Sequence, residues 1–283
     1  MRHRISLIIL LLAFFATNAQ TKVATPQINT RIVSGVPTHK CSSRSITSLE
    51  YSFNAILWQQ RSGEYKALCY QAFSLAKFRL QEKIALRKSV GEKLAIVTDI
   101  DETVLDNSPQ QAADILHHTT YTEKSWLDWT SHAEAGDIPG AVAFFQWADK
   151  MGVQCFYVSN RSAQERDVTI KNLLLRGFPQ ADTLHVIMKD TSSDKEPRRE
   201  KIRQQYTIAL LLGDNLNDFD KMFYKQSWFT RNNLVRDNKD LFGDIFIILP
   251  NPVYGDWESA IWEYKNITPA EADKSKHDAL YTF

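Results

Sequence analysis

The sequence has little of several features that define large protein classes. It contains only three cysteines in 283 residues, and no cysteines and histidines are spaced as zinc ligands. The formal net charge is +1 and no basic block is long, so the composition does not indicate a nucleic-acid-binding surface. After the N-terminal segment no apolar run is long enough to cross a bilayer, and we expect no stable membrane insertion.

The first residues instead carry the pattern of a targeting segment. Arg2, His3 and Arg4 precede an apolar run over residues 5–16, and small residues follow before Gln20. This order predicts a signal peptide over residues 1–19 and a periplasmic or secreted mature protein. Residues 20–48 are polar and rich in Thr, Ser, Pro and Gly, which is typical of a flexible leader.

Because an exported chain with three cysteines can form at most one internal disulfide, the sequence leaves open which cysteines are paired and which are free thiols. Cys155 lies within an apolar run and is expected to be a buried, unreactive thiol. Cys41 and Cys69 are available for a disulfide, which the sequence alone does not establish.

Apolar runs alternate with helical patterns along the rest of the chain. The first two strands are predicted from Leu94 up to Asp99 and from Val153 up to Ser159, and further strands over 184–188, 208–212 and 245–249. Single helices are predicted over 215–224 and 257–280, among others. Such alternation predicts an α/β fold, a Rossmann-like and mostly parallel sheet flanked by helices. We expect one domain over 49–283, with its α/β core at about 92–255 and a smaller helical part from 49–90, 108–137 and 256–283.

Acidic side chains follow two of the predicted strands. Asp99 and Asp101 follow the first strand, and Asp214 and Asp218 follow the strand at 208–212. The carboxyl ends of parallel strands share one edge of a sheet, where ligands bind in such folds. The spacing of Asp214 and Asp218 would put both on one face if the following turn is helical. Close carboxylates need a cation between them, and hard oxygen ligands favour Mg²⁺.

Residues that suit phosphoryl oxygens lie between these acidic pairs. Ser159 and Asn160 follow the second strand, and Lys195 begins a charged helix, with Lys189 as the competing lysine. A hydroxyl and an ammonium group in these places would neutralise charge on a phosphoryl group. The other charges of residues 195–201 are predicted to form a solvated helix face.

Four spaced strings resemble the class C acid phosphatases, also called the lipoprotein 5′-nucleotidase family, within the haloacid dehalogenase superfamily. They are DIDETVLDNS (99–108), VSNR (158–161), GDNLNDF (213–219) and LPNPVYGDWE (249–258), and the resemblance runs from about Tyr65 to the C-terminus. It implies a haloacid dehalogenase-like fold, Mg²⁺ as cofactor and a homodimer. Members that carry lipid need a cysteine at the first mature position, where this chain has Gln20, so we expect no lipid anchor.

The resemblance also implies roles for single residues. Asp99 would be the nucleophile and Asp101 the general acid and base, with the Asp101 backbone carbonyl also facing the metal. Asp99, Asp101 and Asp214 would hold the metal, supported by Asp218. Phosphate would be bound by Ser159, Asn160 and Lys195. Substrate-binding residues would be Trp126 and Tyr254, which bracket a nucleobase, and Arg161; Trp126 as an ordinary core aromatic is the alternative.

The function predicted from the sequence is therefore an exported, Mg²⁺-dependent acid phosphatase. Its expected substrates are small phosphate monoesters, with 5′-nucleotides first. Two alternatives remain open: a non-catalytic phosphate-ester-binding or storage protein, and a phosphotransferase that passes the phosphoryl group to an alcohol. The presence of Asp99 argues against a protein that has lost turnover.

Overall fold

The computed structural model describes residues 48–86 and 91–283, with side chains from Ser52 onward. Within these ranges no helix is long and apolar enough to cross a membrane. The predicted signal peptide, nearly all of the predicted leader and Cys41 lie outside the described residues. Cys69 and Cys155 are both buried free thiols, as expected for Cys155.

Within the described residues, two helices precede the first strand. They are α1 (Ser48–Arg61) and α2 (Gly63–Ala85), and the Ser62 side chain caps α2 by accepting a hydrogen bond from Tyr65 N at 3.1 Å. Buried residues recur along α2 every three or four positions, so one face of the helix packs inward. These residues are Tyr65, Cys69, Ala72, Phe73, Ala76 and Leu80.

A five-stranded parallel sheet forms the centre of the protein. The strands in chain order are β1 (Leu94–Thr98), β2 (Leu105–Asp106), β3 (Gly136–Asp137), β4 (Gln154–Val158), β5 (Val186–Ile187), β6 (Thr207–Gly213) and β7 (Phe246–Ile248). The large sheet has the order β5-β4-β1-β6-β7, and β2 pairs with β3 in a separate antiparallel ribbon. Every residue of the central strand β1 is buried. The predicted α/β architecture is confirmed.

Helices connect and cover these strands. They are α3 (Ser108–Leu116), α4 (Glu123–Ser131), α5 (Ala141–Lys150), α6 (Arg166–Arg176), α7 (Glu196–Arg203), α8 (Trp228–Asp237), α9 (Asp256–Ser259) and α10 (Pro269–Asp278). Segment 108–137, predicted to belong to the smaller helical part, contains two short helices.

The sheet has a hydrophobic core on each face, because side chains alternate along a strand. On one face Ile96 of β1 packs with residues of α2 and α5, and on the other face Val97 packs with Ile202 of α7 and with Phe219 and Phe223. Helix α2 contacts β6 and β7, whereas α1 packs against α3. Helix α2 thus packs against the sheet itself, and the division into an α/β core and a smaller helical part beside it stays a prediction.

Two of the predicted helices are interrupted. Residues 215–224 form two 3₁₀ turns, Leu216–Asp218 and Lys221–Phe223, because the side chains of Asn215 and Asp220 each cap a new turn. The tail predicted as one helix over 257–280 splits into α9 and α10. Glu263 and Tyr264 have positive φ values of 54° and 57°, and Thr268 with Pro269 then begins α10.

Candidate active site

Asp99 lies directly after β1 at the carboxyl edge of the sheet. Its backbone N–H donates to the Leu212 carbonyl of β6 at 2.9 Å, which extends the sheet pairing to this residue. Its side chain, almost completely buried, contacts the Lys195 ammonium, and Thr103 Oγ1 lies 3.4 Å from its Oδ2. The first predicted site residue therefore lies at the sheet edge with a cation beside it.

Lys195 joins the two predicted acidic segments. It lies at the N-cap of α7 and is 4% exposed. Its Nζ contacts Asp99 and lies 2.6 Å from Asp218 Oδ1. Lys195 also lines the cavity at this edge, and the competing Lys189 is not among the lining residues within the described chain. A buried ammonium between two carboxylates partly balances their charge.

Asp214 and Asp218 also lie at this edge of the sheet, but they are not on one face of a helix as predicted. Asp218 folds back so that its Oδ2 accepts from Asn215 N at 3.0 Å, and Asn251 Nδ2 donates to Asp214 Oδ2 at 2.7 Å. One oxygen from each of Asp99, Asp214 and Asp218 lies within 4.8 Å of the other two. The expected helical geometry is wrong, but the two acids do converge with Asp99.

Asp101 points away from this cluster. Arg161 Nη2 donates to Asp101 Oδ1 at 2.7 Å, and Asn107 Nδ2 donates to the same oxygen at 2.8 Å. Ser159 Oγ lies 3.5 Å from Asp101 Oδ2. Arg161 is itself buried and also donates to Thr169 Oγ1 at 3.0 Å, so its guanidinium orients Asp101. It also lines the cavity at this edge, and its expected contact with substrate stays a prediction.

The environment shifts the proton affinities of the acidic cluster. Burial raises the pKa of Asp99 to about 7, although the Lys195 charge opposes the shift. Burial, together with the charges of Asp218 and Asp99, raises the pKa of Asp214 well above its usual value. Burial disfavours the charged form of Lys195, but Asp218 and Asp99 outweigh this effect and raise its pKa. Asp99 and Asp214 therefore hold their protons more readily than exposed aspartates do.

The chemistry of this cluster fits a divalent metal ion. Asp99, Asp214 and Asp218 supply carboxylate oxygens, which are the ligands that Mg²⁺ and Ca²⁺ prefer. Across the part of the chain that the structure describes, no lysine or arginine forms an ion pair with Asp214. A cation bound among the three acids would offset the repulsion between their carboxylates. The Asp101 side chain is not part of this set, and its expected contribution to the metal is the backbone carbonyl.

Two arginines of α7 hold the loops that carry site residues. Arg198 donates to the Ser159 carbonyl and to Asn160 Oδ1, both at 2.6 Å. Arg199 donates to the Asp218 carbonyl at 2.9 Å. They are 3% and 0% exposed, so the predicted solvated face is wrong for these two residues. A possible signal was the helical spacing of Lys195, Arg198, Arg199 and the apolar Ile202.

A cavity of about 610 Å³ opens over the acidic cluster. Its lining includes Asp99, Asp101, Asn160, Arg161, Lys195, Asp214 and Asp218, together with Trp126 and Tyr254. Trp126 Nε1 donates to Glu165 Oε1 at 2.9 Å, and the Arg161 guanidinium lies 5.3 Å from the Trp126 ring centre. Trp129 instead donates to Asn107 Oδ1 at 2.9 Å. The cavity therefore places two aromatic rings near the charged residues.

Glu102 and Asn251 are site residues that the sequence did not single out. Glu102 is completely buried and accepts a hydrogen bond from the Tyr254 hydroxyl, and Asn251 holds Asp214 as described above. Both lie inside the strings that carry the family resemblance. A local sequence pattern does not reveal their contacts, because Glu102 and Asn251 bind residues about 150 and 37 positions away in the chain.

Comparisons with known proteins agree with this geometry. A parallel sheet with acids converging at its carboxyl edge is the arrangement of α/β phosphohydrolases. The family model for the HAD superfamily, subfamily IIIB (acid phosphatase), matches residues 27–257. The chain belongs to this family, and membership indicates a phosphomonoesterase.

Solved structures give the same result. The class C acid phosphatase from Bacillus anthracis is 43% identical with a TM-score of 0.79, and the match covers 83% of this chain and 98% of that one. The same enzyme with tungstate bound is 42% identical with a TM-score of 0.79, covering 83% and 99%. The family resemblance stated from the four motifs is confirmed.

Curated plant proteins match more distantly. "Acid phosphatase 1" of Solanum lycopersicum is 24% identical over 128 residues, which is 43% of this chain and 50% of that protein. "Stem 28 kDa glycoprotein" of Glycine max is 27% identical over 138 residues, 46% and 54% of the two chains. The chain spans about half the length of these curated relatives.

Proposed function

We propose that the protein is an exported, Mg²⁺-dependent acid phosphatase that hydrolyses small phosphate monoesters through a phosphoryl-enzyme on Asp99. The observation that carries the proposal is the convergence of Asp99, Asp214 and Asp218 with the buried Lys195 at the floor of one cavity. Carboxylates serve as nucleophiles in enzymes that form an aspartyl phosphate. Export is proposed from residues 1–19 of the sequence.

The proposed reaction has two chemical steps. An Asp99 oxygen forms a bond to phosphorus, the ester P–O bond breaks, and the leaving oxygen takes a proton from Asp101. Asp101 then accepts a proton from water as the water oxygen attacks phosphorus, which releases inorganic phosphate and restores Asp99. Arg161 and Asn107 fix the orientation of the Asp101 carboxyl group, which lines the same cavity as Asp99.

The remaining polar and charged side chains of the site would stabilise the phosphoryl group during its transfer. Lys195, Ser159 and Asn160 would bind its oxygens, and Arg198 would keep Ser159 and Asn160 in place through the contacts described above. Asp99, Asp214 and the Asp101 carbonyl would hold Mg²⁺, with Asp218 in support. A bound Mg²⁺ would polarise the phosphoryl oxygens and neutralise developing charge.

The substrate class is proposed from the aromatic residues that line the cavity. Trp126 and Tyr254 lie on its wall, and a volume of about 610 Å³ is within the usual range for small-molecule sites. Aromatic side chains bind nucleobases by stacking. These features support nucleoside 5′-monophosphates as preferred substrates among phosphate monoesters.

Release of inorganic phosphate from a panel of esters, with and without EDTA, tests this function. We expect turnover of a nucleoside 5′-monophosphate and of a simple alkyl phosphate, loss in EDTA and recovery with added Mg²⁺. Adding a free alcohol and assaying its phosphate ester measures any phosphotransferase activity. Binding of esters without turnover by metal-loaded protein would instead identify a binding or storage protein and overturn the proposal.

A further inference from the structure

Glu102 occupies an unusual place for an acidic residue. It lies in the sharp turn that follows Asp101 and has a positive φ of 58°, which is uncommon for a residue other than glycine. It is completely buried, beside Asp101 and Asp214. Burial and the Asp101 charge raise its pKa well above the usual value. A strained, buried acid so close to other acids needs partners that compensate its cost.

The structure shows two such partners. Glu102 Oε1 accepts from the backbone N–H of Asn107 at 3.0 Å, and Oε2 accepts from the Tyr254 hydroxyl. The first contact closes the turn of residues 102–107 on itself. The second contact reaches the loop that follows β7, an edge strand separated from β1 by β6. Glu102 therefore joins the turn that follows the candidate nucleophile to a distant wall of the cavity.

The Tyr254 side chain is held at its hydroxyl end. The residue is 37% exposed and lines the cavity, while its hydroxyl reaches the completely buried Glu102. The hydroxyl donates a hydrogen bond to Glu102 Oε2. An aromatic ring with a fixed hydroxyl has little freedom to rotate away from the cavity.

The loop that carries Tyr254 is also tied to the acidic cluster through Asn251. The Asn251 amide donates to Asp214 Oδ2 at 2.7 Å, and its Oδ1 accepts from Val253 N at 2.9 Å. The backbone of the loop is thereby fixed close to Asp214. The direction of the Tyr254 ring then depends on the hydroxyl contact with Glu102.

We propose that Glu102 is a positioning residue that fixes the Tyr254 ring in the cavity wall and so favours phosphate esters that carry a flat aromatic group. This inference rests on the proposed phosphatase function. Glu102 acts through Tyr254 and does not itself meet the reacting atoms. The two residues form one unit for substrate selection, which spans the turn after β1 and the loop after β7.

Steady-state kinetics on two substrates test the inference. Adenosine 5′-monophosphate carries a flat base, and glycerol 2-phosphate has no ring. Glu102→Ala and Tyr254→Phe each remove the contact, and each should raise KM for the nucleotide about tenfold, as loss of one buried hydrogen bond implies. The loss on glycerol 2-phosphate should be several-fold smaller. The double variant should lose no more than either single variant, because the two side chains act together.

Further variants separate positioning from a general effect on the fold. Glu102→Gln can accept from Asn107 with its carbonyl oxygen and donate to the Tyr254 hydroxyl with its amide, so it should recover most of the nucleotide KM. Tyr70→Phe, on the exposed surface of α2, is the matched tyrosine control and should behave like wild type on both substrates. If Glu102→Ala does not fold, the Tyr254→Phe and Glu102→Gln variants still give the comparison.

The outcomes are distinct. Equal losses on both substrates, or additive losses in the double variant, would overturn the positioning role of Glu102. If wild-type protein hydrolyses neither ester, the proposed function fails, and the same variants are compared by calorimetric binding of adenosine 5′-monophosphate and of inorganic phosphate. Weaker binding of the nucleotide alone would then uphold the positioning role, and equal effects on the two ligands would overturn it.

Discussion

Replacement of Gly213 by alanine should disable the site without a direct change to any charged residue. Gly213 is the last residue of β6, directly before Asp214. A Cβ at this position would lie 2.3 Å from Asp218 Cβ and 2.6 Å from Asp218 Cγ. Ordinary carbon contacts are about 3.5–4.0 Å, so Asp218 or its turn must move by roughly 1 Å.

A displacement of Asp218 would also shift Lys195 and, through it, the position of the Asp99 carboxylate. Asp218 lies 2.6 Å from Lys195 Nζ, and Lys195 in turn contacts Asp99. A misplacement of about 1 Å at a catalytic centre can cost roughly 100-fold in rate. The same crowding should lower the free energy of unfolding by about 1–3 kcal/mol. For a chain of this size, that corresponds to a fall in Tm of roughly 2–12 °C.

The assay measures kcat/KM with a simple phosphate ester and Tm by circular dichroism on the same preparations. Gly63→Ala is the matched control, because Gly63 begins α2 and a Cβ there meets no atom within 4 Å. The control should keep wild-type activity and a Tm that is unchanged or higher. Activity of Gly213→Ala within threefold of wild type would refute the reasoning that links Asp218, Lys195 and Asp99.

Three further predictions follow from the same site. Burial raises the Asp99 pKa from 3.8 to about 7, so the contribution of Asp99 to the stability of metal-free protein is present below about pH 4 and is lost as the pH rises to 7. Mg²⁺ binding needs the ionised acids, so the rise in Tm on adding Mg²⁺ should be larger at pH 7 than at pH 5. An equal rise at the two pH values, or no rise, would contradict the metal site. Trp126→Ala should weaken kcat/KM for a nucleotide roughly tenfold while glycerol 2-phosphate loses several-fold less, as loss of a stacking contact implies, and equal losses would mean that Trp126 is structural. The exported protein should begin near Gln20 without lipid, which intact mass spectrometry measures, and a retained N-terminus or a lipid adduct would contradict this expectation.

The sequence predicted the parallel sheet because its strands are short, apolar and separated by helical patterns. β1 and β6 are buried along nearly their whole length, so hydrophobicity alone marks them. The turns after the strands were harder to predict. Side chains such as Asn215 and Asp220 redirect the chain through local hydrogen bonds, which a helical pattern does not register.

Some site residues could be predicted from the sequence, and the contacts of others could not. Asp99 and Asp214 follow strands and meet because parallel strands bring them to one edge, where Lys195 joins them from the start of α7. Arg161 and Glu102 depend on contacts that only the folded chain creates. Arg161 lies 60 positions from Asp101 in the chain, and Tyr254 lies 152 positions from Glu102, so neither pairing is visible in a local pattern.

Phosphate release by wild-type protein and by Asp99→Asn, each with Mg²⁺ and each with EDTA, tests the central claim most directly. Asparagine keeps the shape of the side chain and removes the nucleophilic carboxylate, so circular dichroism should show an intact fold. Only wild-type protein with Mg²⁺ should release phosphate, and Asp99→Asn should lose at least about 1,000-fold in kcat. Full activity of the wild type in EDTA, or activity of Asp99→Asn within tenfold of wild type, would contradict the account.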